Sequence, residues 1–178
     1  MRISRIFRDI PVANITGGAN VPNLRQYLER EMAEDEKYCK CIRSREIRDE
    51  KFKMEEIYYT VEQYESSAGK EYFISANILP RYENIYQKTL VGFCRLLVPP
   101  KYKSMIHFQK TLQDSCLVRE LHVYGQLQSQ YNSKTDCKSG QHRGIGKALL
   151  KMAEDITIDE KYKKLSVISG VGVRGYYK

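Results

Sequence analysis

A mixed α/β domain is what this sequence predicts, and three observations carry the prediction. Three runs rich in aromatic and β-branched residues, EEIYYTVEQYES, KEYFISANIL and TLVGFCRLL, are separated by SAGK and a polar PRYENIYQK, the pattern of an antiparallel meander. Downstream of Gly144, apolar residues at Ile145, Ala148, Leu149, Met152 and Ile156 form the stripe of an amphipathic helix that faces a sheet. Two further strand-like runs, CLVRELHVYG and KKLSVISGVG, flank that helix, so a glycine-bearing turn and a helix connect two strands.

The remaining elements follow in order. In NVPNLRQYLEREMAEDEKY, Leu24, Leu28 and Met32 recur every four residues behind Asn23 as N-cap, which predicts a helix over 23–37. CKCIRSREIRDEK is short and basic, PPKYKSMIHFQKTLQDS reads as an irregular loop, and QLQSQYNSKTDCKSG as a long polar one. At 178 residues the chain has room for one domain with a real core but hardly for two. The organisation expected is a flap over 1–50, carrying the helix and a Cys-x-Cys, followed by a domain over 51–178.

Charge and composition restrict the function classes. A net charge of +8 and a pI near 9.2 point to an anionic partner, a nucleic acid or a phosphorylated cofactor, although a merely solvated basic surface fits too. No apolar run approaches the roughly 18 residues of a membrane span, and MRISRIFRDIP lacks the apolar centre of a signal peptide, so a cytosolic or nuclear protein without membrane partners is expected. In such a compartment the five cysteines are thiols or metal ligands rather than a disulfide framework.

Gln141-x-x-Gly144-x-Gly146 opens the amphipathic helix. Amides at a helix start have no internal partner and carry the positive end of the dipole, and glycines let a phosphate approach them. The spacing alone also fits an ordinary flexible helix start, and neither the Rossmann nor the Walker glycine pattern is present. In CLVRELHVYG, strict alternation places Glu120 and His122 on one face together with Val118 and Tyr124. Either could serve as a general base, or Glu120 pairs with an arginine and His122 packs as a hydrogen-bonded ring. A protonated tyrosine at Tyr176 or Tyr177 can donate to a thiolate; packing on a domain edge is the bland alternative. Cys39, Cys41, His107 and Cys116 make a suitable tetrahedral donor set for structural zinc. Cys94 lies in an apolar strand and reads as core, Cys137 as a solvent-facing thiol.

RELHVYG (119–125), QHRGIGKALL (141–150) and VISGVGVRGYYK (167–178), preceded by RIFRDIPVANITGGANVPNLRQ and CKCIRSREI, resemble the GNAT-type acetyltransferase domain of the Elongator catalytic subunit family, which modifies the wobble uridine of tRNA. The resemblance covers nearly the whole chain. It implies acetyl-CoA as cofactor, its pyrophosphate held by Gln141, His142, Arg143, Gly144, Ile145, Gly146 and Lys147, and its acyl arm along Glu120, Leu121, His122 and Val123. It implies cofactor contact by Tyr176 and Tyr177, with Tyr177 favoured near the sulfur, and zinc on the four Cys and His ligands; with the strand reading above, the catalytic candidates are Glu120 and His122 as base and Tyr177 as acid. It implies tRNA as partner, with other Elongator-type subunits beside it.

Departures matter: Gly175 stands where the family keeps an Asn, the loop 126–140 lacks a Val-Pro pair, and the chain stops at Lys178, so a domain without its last strand is expected. No C-x₃-C-x₂-C-like motif occurs, so no iron–sulfur cluster is expected here, and the chain reads as a fragment or remnant lacking a radical-SAM half. Basic clusters at Arg2, Arg5 and Arg8, at Lys40, Arg43, Arg45 and Arg48, and at Lys101, Lys103, Lys161, Lys163 and Lys164 would follow an RNA backbone. The function expected is acetyl-CoA-dependent acetyl transfer or hydrolysis linked to tRNA. Protein lysine acetylation and a non-catalytic tRNA-binding role are the alternatives.

Overall fold

The structure, a computed structural model, describes residues 12–14, 16–18, 24–48, 52–79, 89–124 and 144–177. The chain divides into two compact units, Met1–Arg45 with Pro80–Lys88, and Glu46–Leu79 with Thr89–Lys178. In the first, helix α1 (Leu24–Glu34) is followed by a single turn, α2 (Ile42–Arg45). Asn23 lies outside the described residues, and α1 stops short of the expected 37 because Glu36 takes a left-handed conformation, φ 56°. Arg25 knits the two helices: its guanidinium donates to Glu29, Ser44 and Cys41, and Ser44 Oγ donates to the same Glu29 carboxylate at 2.7 Å.

The second unit is a five-stranded sheet in sequential order, β1 (Tyr58–Ser66), β2 (Gly69–Ile78), β3 (Thr89–Val98), β4 (Ser115–Val123) and β5 (Lys164–Val167). The first three form the antiparallel meander that their aromatic and β-branched runs predict. The β1–β2 turn needs glycine at Gly69: φ is 140°, and a Cβ there would overlap Val98 O and lie 2.9 Å from Pro99 Cα. β4 joins antiparallel to β3, and β5 lies parallel to β4. The crossover between them carries helix α4 (Ile145–Asp159). Among the described residues no helix is long and apolar enough to cross a membrane.

The core lies between one sheet face and α4. Ile145, Leu149 and Ala153, spaced by fours, are buried against Ile74, Ala76, Val91, Cys94, Leu96, Cys116 and Val118. The other face is polar at its centre. Glu71, 3% exposed, accepts from Arg119 Nη1 at 2.7 Å, Arg95 Nη2 at 2.9 Å and Tyr64 Oη at 3.0 Å. Burial pushes this carboxyl up, but the hydrogen bonds and the two guanidinium charges outweigh it and hold it below the usual carboxylate range.

Two expectations change. The 99–115 loop contains a short helix, α3 (Lys101–Met105), and a 3-10 turn at Lys110–Leu112, because Pro100 stands at the N-cap and its carbonyl accepts from Lys103 N and Ser104 N at 2.9 and 3.0 Å. The last strand-like run keeps only four residues in the sheet, and Val171–Tyr177 coils into a 3-10 segment.

Truncating Leu149 to Ala opens a cavity under a fully buried helix position and is expected to cost about 3 kcal/mol in urea unfolding. Because Glu71 titrates lower folded than unfolded, the stability it confers is present above its unfolded value near 4.3 and lost as pH falls through the lower folded value. Glu71→Gln therefore lowers stability at pH 7 by about 3 kcal/mol, leaving Arg95 only the more distant Glu120 at 3.8 Å, and flattens the acid limb of the stability–pH curve.

Candidate functional site

The site begins where β5 leaves β4. Their parallel register runs from Ser115 opposite Lys164 to Val118 opposite Val167, and the amide of Ile168 makes a last bond to Val118 O at 3.0 Å. Beyond it β4 continues along β3 to Val123 while β5 contributes no further pairing. At the same point β4 carries a bulge: Arg95 faces Glu120 and Leu96 faces Val118, leaving Arg119 as the extra residue. Strict alternation would set Val118 beside Glu120 and His122. The bulge puts Val118 in the core with Cys116, and Leu121 and Val123 continue that helix-side face. Glu120 and His122 still share the opposite face, as expected.

Next to the parting strands stands the α4 start. Gly144 is the N-cap in left-handed conformation, φ 82°, and among the described residues nothing lies within 4 Å of the point a Cβ would occupy, so it is the backbone that demands glycine. Its carbonyl accepts from Ala148 N at 2.9 Å. The amides of Ile145, Gly146 and Lys147 are the first-turn donors that a helix leaves without an internal acceptor. Ile145, 1% exposed, anchors the turn to the core, and Lys147 faces solvent. A Cβ on Gly146 would fall on the hydroxyl of Tyr176 and lie 3.6 Å from Val123 Cγ2. The end of β4, the first turn of α4 and the Val171–Tyr177 segment thus converge at Gly146.

The other expected residues distribute around this point. Gln141 and Arg143 lie outside the described residues, as do His142, Cys137 and Arg2, Arg5 and Arg8. Leu121 and Val123 pack toward α4. On the far face of β4, the exposed His122 ring meets Tyr124 edge-on, centroids 4.5 Å apart, with Phe93 at 6.0 Å. Glu120 Oε2 is 3.8 Å from Arg95 Nη1, the guanidinium that also binds Glu71. Glu120 and His122 therefore lie on the face of β4 opposite the one packed toward α4. Tyr176 and Tyr177 stack edge to face at 5.1 Å. Burial, then Tyr176 and Cys94 as neighbours, pushes the Tyr177 hydroxyl up, so it stays protonated at neutral pH; the hydroxyl lying at Gly146 is that of Tyr176. Phe93, Tyr124 and the Glu71–Arg95 pair around these side chains escape sequence reading, because cross-strand register brings them there.

Among the described residues no three His, Cys, Asp or Glu side chains group to hold a metal; of the expected zinc ligands, Cys39 and Cys41 belong to the first unit, His107 and Cys116 to the second. Cys116 is a fully buried member of the core, its thiol pushed up to about 11, foremost by burial. His107 stacks on Phe108 and accepts from Gln109 N at 3.1 Å. Burial raises the Cys41 thiol, but hydrogen bonds from Ser44 and Arg25 bring it down to about 6. Cys94 is core, as expected, with its thiol pushed up to about 12 by burial.

Gly146→Ala is expected to destabilise the protein in urea unfolding through its new methyl against Tyr176, and a double-mutant cycle is expected to show this loss largely disappearing in a Tyr176→Ala background. Gly144→Ala is expected to cost about 1 kcal/mol in either background, since only its backbone conformation is at fault.

No family model matches the chain. The tRNA uridine(34) acetyltransferase of Methanocaldococcus jannaschii is 38% identical over 186 residues, covering 100% of this chain and 32% of that protein. Elongator complex protein 3 of Schizosaccharomyces pombe is 37% identical over 187 residues, covering 99% of this chain and 32% of that protein. The solved structure of an archaeal Elp3 from Methanocaldococcus infernus, with an N-terminal deletion, matches at TM-score 0.72 and 35% identity over 98% of this chain and 40% of that one. The chain spans about a third of the length of the curated relatives it matches. Over nearly its whole length the chain is a homologue of the C-terminal part of proteins named tRNA uridine(34) acetyltransferase and Elongator complex protein 3.

Proposed function

We propose that the second unit is a GNAT-type acetyl-CoA-binding domain that transfers or hydrolytically releases the acetyl group in the course of tRNA wobble-uridine modification. The observation that carries this reading is the parting of β5 from β4 beside a helix start that has a left-handed glycine at its cap. Fixed amides at a helix N-terminus suit a pyrophosphate, and the neighbouring β4 segment, Glu120–Val123, supplies backbone for an extended amide-bearing arm. The acceptor, uridine in tRNA, is taken from the names of the relatives, as is an Elongator-type assembly around the chain.

When bound, acetyl-CoA supplies an acyl carbon activated as a thioester. The chain's own residues do the rest. First-turn amides of Ile145, Gly146 and Lys147 hold the diphosphate. Glu120 or His122, at the β4 edge, takes the proton from the attacking nucleophile, directly or through one water. A protonated tyrosine would supply the proton that a departing thiolate needs. Burial raises both tyrosine hydroxyls, so both are protonated at neutral pH; Tyr177 is the one the family resemblance favours near the sulfur, and Tyr176 lies closest to the helix turn.

Release of free coenzyme A from acetyl-CoA, with and without tRNA, tests the proposal. Wild-type protein is expected to release it faster with tRNA present, and Gly144→Glu, which places bulk and negative charge at the cap, to abolish release. Absence of both release and coenzyme A binding, with tRNA binding retained, would overturn it in favour of a binding module. If His122 or Glu120 is the base, His122→Ala or Glu120→Gln lowers kcat by about 100-fold with little change in coenzyme A affinity.

A further inference from the structure

The end of the second unit remote from the α4 start gathers two segments distant in sequence, 101–114 and 159–164. α4 separates this end from Gly144 by 15 residues, about 22 Å of helix rise. Lys101 ties the segments together: Nζ donates to Lys161 O at 2.5 Å, pairs with Asp114 at 3.2 Å and sits 3.5 Å over the Tyr162 ring. Lys164 Nζ donates to Lys110 O at 3.3 Å, and Ser166 Oγ to Thr111 O at 3.3 Å. Lys103, Lys110, Lys161, Lys163 and Lys164 are left exposed around the Lys101 tie.

Three carboxylates lie in these segments, Asp114, Asp159 and Glu160, so lysines outnumber them two to one. Asp114 is occupied by Lys101, with Lys163 at 4.0 Å, and Glu160 by Lys70 and Tyr72, both at 2.5 Å. Among the lysines two aromatic rings stand in water, Tyr102 at 67% and Phe108 at 86% exposure, the latter stacked on His107 at 4.7 Å. Met105 and Ile106 add exposed apolar surface between them.

We propose that this surface docks RNA, with Lys103, Lys110, Lys161, Lys163 and Lys164 on phosphates and Tyr102 and Phe108 as stacking platforms for unpaired bases. An acidic peptide would satisfy the lysines but leave both rings in water. A single-stranded or looped RNA satisfies both, because every base has a face to stack and every nucleotide a charge. The proposal stands on this surface alone and does not need the acetyl-CoA reading.

The test is fluorescence anisotropy of the full chain with a labelled oligouridylate and with unmodified tRNA transcript, over a salt series. Lys103→Gln, Lys110→Gln and Lys163→Gln combined are expected to reduce the slope of log K against log salt by about 2. Tyr102→Ala with Phe108→Ala is expected to weaken binding about tenfold or more at an unchanged slope. All five side chains are exposed, so thermal unfolding should match wild type, and coenzyme A binding should be unaffected, which separates failure here from failure of the acetyl reading. RNA affinity and slope equal to wild type in both variants would overturn the proposal. So would polyglutamate displacing the oligouridylate as well as unlabelled RNA does while the aromatic variant binds normally, which would assign the surface to an acidic protein.

Discussion

Everything at the candidate site depends on how α4 is seated. Ile145, Leu149 and Ala153 are inserted into one face of the sheet, and Ile145 is both the first residue of the helix and a fully buried core side chain. The residue that begins the helix is therefore also the one that pins it. Its amide and those of the next two residues are held at the mouth of the β4–β5 gap by apolar burial rather than by a side-chain cap, and the glycine before it supplies the backbone conformation that no other residue adopts cheaply. A preorganised donor set of this kind needs no rearrangement when an anion arrives.

The sheet sorts its chemistry by face. On the helix side its buried centre is apolar, with Lys70 and Tyr72 binding Glu160 at the far end of the helix; on the other, a buried carboxylate at Glu71 is held by Arg95, Arg119 and Tyr64, and Arg95 reaches on to Glu120. Low dielectric strengthens such a cluster and makes it costly to break. For Glu120 it means a charged neighbour on the adjoining strand. His122, with aromatic neighbours and an exposed ring, has a different environment two residues on. Two potential bases on one strand face are thus placed in unlike surroundings, the usual way for a site to divide roles between similar groups.

The unit also has two ends of different character. At one, strands part, a helix begins and tyrosines converge. At the other, the helix finishes among lysines and exposed rings, fixed by Lys101. A helix of 15 residues keeps these ends apart. The same unit can in this way contact a long polyanion at a distance from the candidate site.

Much of this was written in local residue order. The meander follows from three runs of aromatic and β-branched residues, and the α4 stripe from Ile145, Leu149, Met152 and Ile156. The glycine turn follows from Gly144 and Gly146, because propensity, periodicity and backbone freedom act within a few residues. What the sequence could not decide needed partners far along the chain. The bulge at Arg119 moves Val118 out of the alternation and into the core, since strand register is set by β3 as much as by β4. Cys116, a plausible zinc ligand by its neighbours in sequence, is drawn into the core by the side chains above it. The final strand-like run keeps four residues in the sheet and then coils, bringing the Tyr176 hydroxyl to Gly146 across thirty residues of sequence. Local order determines which elements form; packing of distant side chains, whose burial free energy no single segment contains, decides which residues meet.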